Sequence, residues 1–410
     1  MGTEGYSPTL VKKAVRQAAK AASFRDASED LRELARLTVS PTHLQRLTER
    51  VGREWQQQRD ADVQALKENR LARDYAKAPA VAAVLLDGGR YQTRAEAAGR
   101  GVTAPAWRED KVACCQTYAS RASATDPQPR PPSKFLDRVR VTRLAAELRS
   151  HSGKSVGRAD KAPPPPRPKR RRVRKATRPR RLVRTVTATT ADNEAFGWQV
   201  AAEVHRRGLD RARRKACVGD GSKAVWAVFE FHLLAAGFIG ILDFLHLLSH
   251  LYAAACAAQP KGTEAAWALY GQWLCWAWSG KVLLLLGGLR AVCKRLGTAP
   301  AGAGEDDPRR VAADTLGYVE NNRGRMNYPE YRRLGLPISS APVESVIKQL
   351  NRRVKGSEKF WLHGGAEAVL QVRAAYLSED ERAERYWARP RPHPRAVGGG
   401  RLRRPAAAPQ

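Results

Sequence analysis

The sequence predicts an α/β protein: a mixed sheet with helical crossovers, followed by a helical, tryptophan-rich stretch and preceded by an all-helical N-terminal region. Three observations predict it. Short apolar runs stop at acidic residues, at Leu86-Asp87-Gly88, Gly219-Asp220-Gly221 and Leu242-Asp243. Helical stretches separate the later runs, which is the pattern of strands joined by crossovers. The first eighty residues show helical periodicity alone.

Taken in order, residues 1–78 read as a helical DNA-binding region. Ser28 is placed as the cap of a helix with Leu31, Leu34 and Leu37 on one side. Ser40 and Pro41 form an N-cap and N1 pair for a second helix with Leu44, Leu47, Val51 and Trp55 at helical spacing. Two short helices across Thr38-Val39 suggest helix-turn-helix, with Arg46, Arg50 and Arg53 facing away from the apolar stripe. A helical hairpin with a solvated basic face fits the same residues.

Residues 79–125 read as three short strands of a meander: APAVAAVL, YQTR and KVACCQTY. Residues 126–184 form a Pro/Arg-rich linker, expected to be disordered. Residues 185–257 resume the sheet with LVRTVTATT, a helix from Asp192, the strand KACVG, a further helix, the strand FIGIL and a long helix. Residues 258–320 are helical and tryptophan-rich, 321–388 hold a helix bearing Glu344, and 389–410 form a basic tail expected to be disordered. Trp267, Trp273, Trp276 and Trp278 are read first as core, and second as surfaces on which an unpaired base could stack.

The charge selects the partner. Seventy-three Lys and Arg against forty Asp and Glu leave +33, so a polyanion is expected. Twelve cations and no acid lie between Lys161 and Arg184, among them Arg170, Arg171 and Arg172; seven Arg and no acid lie between Arg385 and Gln410. At 410 residues and 43% hydrophobic content, a disulfide-stapled miniprotein and a wholly disordered basic tail are excluded. The six cysteines lack paired C-x-x-C spacing, which points to reduced thiols in the cytoplasm. The N-terminal residues lack an apolar signal core. The most apolar stretch, 224–258, carries Glu230, His232, Asp243, His246 and His250, which argues against a membrane span.

Asp87, Asp220 and Glu344 each sit where an element ends or begins, the usual location of sites in α/β folds. Each also has a bland reading. Asp-Gly is a common turn pair, and Glu344 suits a helix N-terminus, where it could pair with Lys348 one turn on. The helix after Glu344 buries Val343, Val346, Ile347, Leu350 and Val354 in one stripe, and places Lys348, Asn351, Arg352 and Lys355 beside the carboxylate. A carboxylate heading a row of cations suits a metal site next to a phosphate backbone, where two or three carboxylates would hold a pair of divalent ions about 3.5–4 Å apart that activate the attacking and leaving oxygens. Asp243, His246 and His250 share a helix face and could ligate a metal. No fourth ligand is evident, which favours a structural or supporting role.

Five motifs, LLDGGRYQTR with WREDKVA, GDGSKAVW, ILDFLHLLSHLY, the run RGRMNYPEYRRLGLPISSAPVESVIKQLNRRVKGSEKFW, and GGAEAVLQVRAAYL, resemble in order and spacing the Kra-type insertion-sequence transposases of bacteria, which are akin to the Mutator-like group. The resemblance covers about residues 20–388, excluding the basic insert. It implies a ribonuclease-H-like catalytic domain interrupted by an all-helical insertion, with Asp87, Asp220 and Glu344 as a DDE triad holding two Mg²⁺ or Mn²⁺ ions. Asp243 and His246 match an acid-x-x-His motif of Mutator-like enzymes, and Asp243 in place of Asp220 as second acid stays open. The implied activity is DNA transposition: cleavage at terminal inverted repeats and strand transfer into target DNA by an oligomer assembled on double-stranded DNA, in the bacterial cytoplasm. A decayed DNA-binding protein and a nuclease without strand transfer are the alternatives.

Overall fold

A computed structural model describes residues 6–94, 106–151, 179–356 and 359–389. The basic run holding Arg170, Arg171 and Arg172, and the tail from residue 390, lie outside the described residues.

Three helices come first: α1 (Pro8–Lys20), α2 (Phe24–Ala35) and α3 (Pro41–Lys67). Ser7, Ser23 and Ser40 each cap one through a side-chain oxygen. The Ser40–Pro41 start is as the sequence predicts. The Ser28 cap is not: Ser28 lies inside α2 and its hydroxyl donates to the Val39 carbonyl, 2.7 Å away, pinning the link before α3. Nor is the second helix short, because α3 runs for 27 residues. Its Leu44, Leu47 and Val51 are buried with residues of α1 and α2. Arg46 and Arg53 are exposed and Arg50 is half-buried.

The sheet begins with β1 (Val81–Thr93) and β2 (Ala106–Ala119), followed by α4 (Arg138–His151), β3 (Arg180–Thr189), α5 (Asn193–Arg206), β4 (Arg214–Gly219), α6 (Lys223–Val228) and β5 (Ile239–Leu242). Six strands make one open mixed sheet in the order β3-β2-β1-β4-β5, with the two-residue β6 (Phe360–Trp361) added to the far end of β1. β1, β2 and β3 are antiparallel, whereas β4 and β5 run parallel to β1.

Two predicted pieces, APAVAAVL and YQTR, are one strand. Asp87, Gly88 and Gly89 do not turn; they pair with Val112, Lys111 and Asp110. A Cβ on Gly89 would meet the Asp110 carboxylate at 2.7 Å, so glycine here admits the partner strand's side chain. The insert expected to lack order also differs in its described residues, 126–151 and 179–184. It holds α4, and β3 already starts at Arg180, since Val141 and Ala145 find apolar cover.

After β5 come α7 (Phe244–Ala258), α8 (Glu264–Trp278), α9 (Val282–Leu296), α10 (Pro308–Asn322), α11 (Tyr328–Arg333), α12 (Ala341–Val354), α13 (His363–Leu377) and α14 (Arg382–Ala388). Trp273 and Trp278 are buried, and Trp267 and Trp276 are half-buried against the same core, so these four pack the core first. One apolar core joins the sheet to α5 and α7–α13. A second lies among α1–α3 and takes in Val372 of α13 and Tyr386 of α14. The two helical layers meet closely where Gly52 of α3 abuts the Ala368 backbone of α13; a Cβ there would overlap the carbonyl. Among the described residues, no helix is long and apolar enough to cross a membrane.

Candidate metal centre

Two strand ends, the middle of β1 and one helix start converge. β4 pairs with β1 only as far as Leu85↔Val218, so Asp87 lies two residues past the point where β1 loses that neighbour. Asp220 follows Gly219, the last residue of β4, and Asp243 follows Leu242, the last of β5. Those two ends are in register, and the Asp243 N–H donates to the Gly219 carbonyl at 2.7 Å. The parallel ladder thus sets two acids side by side at its C-terminal edge.

Asp243 is fully buried. One oxygen caps α7 by accepting from the Leu245 N–H at 2.9 Å; the other accepts a short hydrogen bond from the Ser340 hydroxyl. That hydroxyl also lies 3.4 Å from Oε1 of Glu344 in the first turn of α12. Ser340 therefore joins two segments about a hundred positions apart. His246, one turn into α7, places Nε2 3.8 Å from Asp243 Oδ2 and 4.0 Å from Glu344 Oε1. The donor atoms of Asp243, His246 and Glu344 all lie within 4.8 Å of one another.

The electrostatics match this crowding. Burial pushes the Asp87 carboxyl up to about 7, with the Asp220 and Glu344 carboxylates adding to it against the pull of His246 and the Gly88 N–H. Burial pulls His246 down, but Asp243, Asp87, Asp220 and Glu344 outweigh it and raise its pKa. Four carboxylates thus act on one imidazole, whose Nε2 is shielded from solvent and has no hydrogen-bond partner among the described residues. Asp243, His246 and Glu344 thus form a donor set that could hold a metal ion.

Asp220 borders the cluster on the side of a cleft of about 450 Å³, lined also by Asp87, Arg90, His246, His250 and Tyr318. One of its oxygens accepts from the Ser222 N–H at 2.9 Å. Its carbonyl accepts from the Tyr318 hydroxyl at 2.7 Å. Gly221 has φ +98°, and a Cβ there would strike the Tyr318 ring at 2.6 Å, which explains the glycine after Asp220. His250 does not join the donor set. It stacks on Tyr318, ring centres 3.9 Å apart, and helps to wall the cleft.

On the opposite side, Leu144 and Glu147 of α4 close a narrow crevice over Asp87, His246 and Glu344. Glu147 pairs with Lys348 at 3.1 Å. Lys348 is thus held by α4 rather than by Glu344, its expected partner one turn back. Nothing in the sequence marked Glu147, since the contact spans 201 positions. Arg352 and Lys355 are exposed along α12 and its end. Arg46, Arg50 and Arg53 belong to α3, a different element. No protein-family model matches the chain, and no curated protein matches it.

Proposed function

We propose that the protein is a DDE transposase with a ribonuclease-H-like catalytic domain, cleaving double-stranded DNA at transposon ends and joining the freed 3′ end to target DNA. One observation carries this reading: Asp87, Asp220, Asp243 and Glu344, from four separate segments, collect at the sheet's C-terminal edge around a lone imidazole in a chain of charge +33. The element order adds support. Three antiparallel strands, two parallel strands and the helices α8–α10 between β5 and the Glu344 helix follow the arrangement that the motif resemblance implies.

In this reading Asp87, Asp220 and Glu344 hold two Mg²⁺ or Mn²⁺ ions, which when bound activate the attacking oxygen and stabilise the leaving one. Asp243 and Ser340 fix the angle at which Glu344 faces the cluster. His246 supplies positive charge among the carboxylates. The spacing of Asp243, His246 and Glu344 favours Asp243 as a direct ligand, with Asp220 serving from the cleft side. The basic segments and α12 add sequence-independent affinity for phosphates, steeply dependent on salt. A homo-oligomer assembled on DNA completes the proposal.

The test is cleavage of a labelled duplex carrying the repeats that flank the gene, with Mg²⁺ or Mn²⁺. Metal-dependent nicking at the repeat end, lost in Asp87→Asn and Glu344→Gln with DNA binding retained, is the expected result. Nicking without joining would identify a nuclease, and binding without any nicking a decayed element. Asp220→Asn and Asp243→Asn, run in parallel, assign the second triad acid.

A further inference from the structure

β1 and β2 stay paired from Val81↔Tyr118 to Thr93↔Ala106, but their outer neighbours end early. β4 leaves β1 at Leu85 and β3 leaves β2 at Lys111. Residues 88–93 and 106–110 therefore continue past the main sheet as a two-stranded ribbon, joined near its far end by the two residues of β6. It starts one residue beyond Asp87. Arg90 and Glu109 at its base line the same cleft as Asp87 and Asp220.

The ribbon's surface carries two exposed arginines, Arg90 and Arg108, the exposed Glu109 that lies across the strands from Arg90, and an exposed tryptophan. Trp107 is 46% exposed, and the Lys355 ammonium, arriving from the end of α12, lies 5.7 Å from its ring centre. One exposed tryptophan is unremarkable by itself. Beside three cations, on an arm leaving the strand that carries an acid of the metal centre, it belongs to a contact surface for a polyanion.

We infer that this ribbon is the arm that seats duplex DNA against the metal centre. Arg90, Arg108 and Lys355 take phosphates, and Trp107 supplies the apolar contact to a base or sugar. Tyr91, Gln92 and Asp110 are buried and β6 pairs the ribbon's far end, so the duplex would lie along the exposed Arg90, Trp107 and Arg108. Docked there, the arm fixes how far the duplex advances over the acids, and so which phosphate meets them. The inference rests on the proposed reading for its choice of DNA, and it names an element that reading leaves open.

Binding of a fluorescein-labelled 30-base-pair duplex of arbitrary sequence, measured by anisotropy in EDTA over a series of salt concentrations, tests the arm without any cleavage. The Arg90→Ala/Arg108→Ala double variant is expected to lower the slope of log K against log salt by roughly two. Trp107→Ala is expected to weaken binding about tenfold at an unchanged slope. Lys261→Ala, in the exposed turn before α8, should behave as the parent. Slopes and affinities equal to the parent in both arm variants, with melting curves showing them folded, overturn the inference. Because the assay is metal-free, an arm that binds and an enzyme that fails to cut are separate outcomes. Nicking that persists in arm variants of unchanged affinity would sink the arm alone.

Discussion

Two clusters of carboxylates among the described residues are built in opposite ways. Glu203 and Asp380 meet Arg382 and Arg206. Arg382 reaches Glu203 at 2.6 Å and Asp380 at 2.8 Å, and Arg206 reaches Glu203 at 2.9 Å. Burial alone would raise Glu203, yet the two guanidiniums hold it far below the usual carboxylate range. Asp87, Asp220, Asp243 and Glu344 have one imidazole among them, and Asp87 is driven up to about 7. The first cluster is internally neutralised and ties α14 to α5. The second sets four carboxylates around the single His246 imidazole, whose pKa they raise.

The contrast breaks most sharply under substitution. Asp87→Asn and Glu344→Gln are expected to lower metal-dependent nicking on the order of a thousandfold or more, while the melting temperature without metal holds or rises, because each removes a repelled charge. Arg382→Ala should do the reverse, costing about 3–5 kcal/mol of stability by leaving Glu203 and Asp380 buried without their partner. Denaturant unfolding of the variants separates the cases. Loss of stability in Asp87→Asn comparable to that in Arg382→Ala would mean that the acidic cluster is structural too.

Much of this was legible in the chain, and what escaped has a physical reason. The apolar stripe Val343–Val354, the Ser40–Pro41 start of α3, the helix from Asp192 and the strands ending at Asp220 and Asp243 follow local rules of periodicity and capping, which sequence carries directly. The continuity of β1 did not, because Gly88 and Gly89 stay extended only when Asp110 arrives from β2, a non-local pairing that overrides the turn preference of Asp-Gly. The order within the linker escaped because α4 owes its stability to cover from α7 rather than to its own composition. At the site, the acids at strand ends could be named singly. That Ser340 joins Asp243 to Glu344, and that Glu147 overlooks them, are contacts across long stretches of chain with no local trace.

A gentler test uses pH. The folded protein keeps a proton on Asp87 up to about pH 7, whereas the unfolded chain gives it up near 3.8. Stability without metal from this group is therefore fully present below about pH 4 and is lost as pH rises through 7. A divalent ion competes with that proton, so the gain in melting temperature on adding Mg²⁺ or Mn²⁺ should grow between pH 6 and 8. Asp110 is also raised to about 7 by burial, with neither oxygen hydrogen-bonded among the described residues. Asp110→Asn should flatten the metal-free pH dependence and leave the metal-induced gain intact. Disappearance of that gain in Asp110→Asn would place this residue among the metal donors.

The smallest effect is expected at Glu147 and Lys348, and its size tells how the crevice over the acids is closed. Their side chains are 35% and 54% exposed, so water screens the attraction and the pair should contribute about 0.2–1 kcal/mol to stability in a double-mutant cycle. A closure that weak is held chiefly by α4's apolar packing, through Val141, Leu144 and Ala145, and not by charge. Phosphate could then take Lys348 from Glu147 at little cost, and Glu147→Gln should bind duplex DNA slightly more tightly at low salt, the gain vanishing in Lys348→Gln. A coupling energy above about 2 kcal/mol would instead make the pair a firm clamp. The site would then resemble the Glu203–Arg382 cluster more than its own acids suggest.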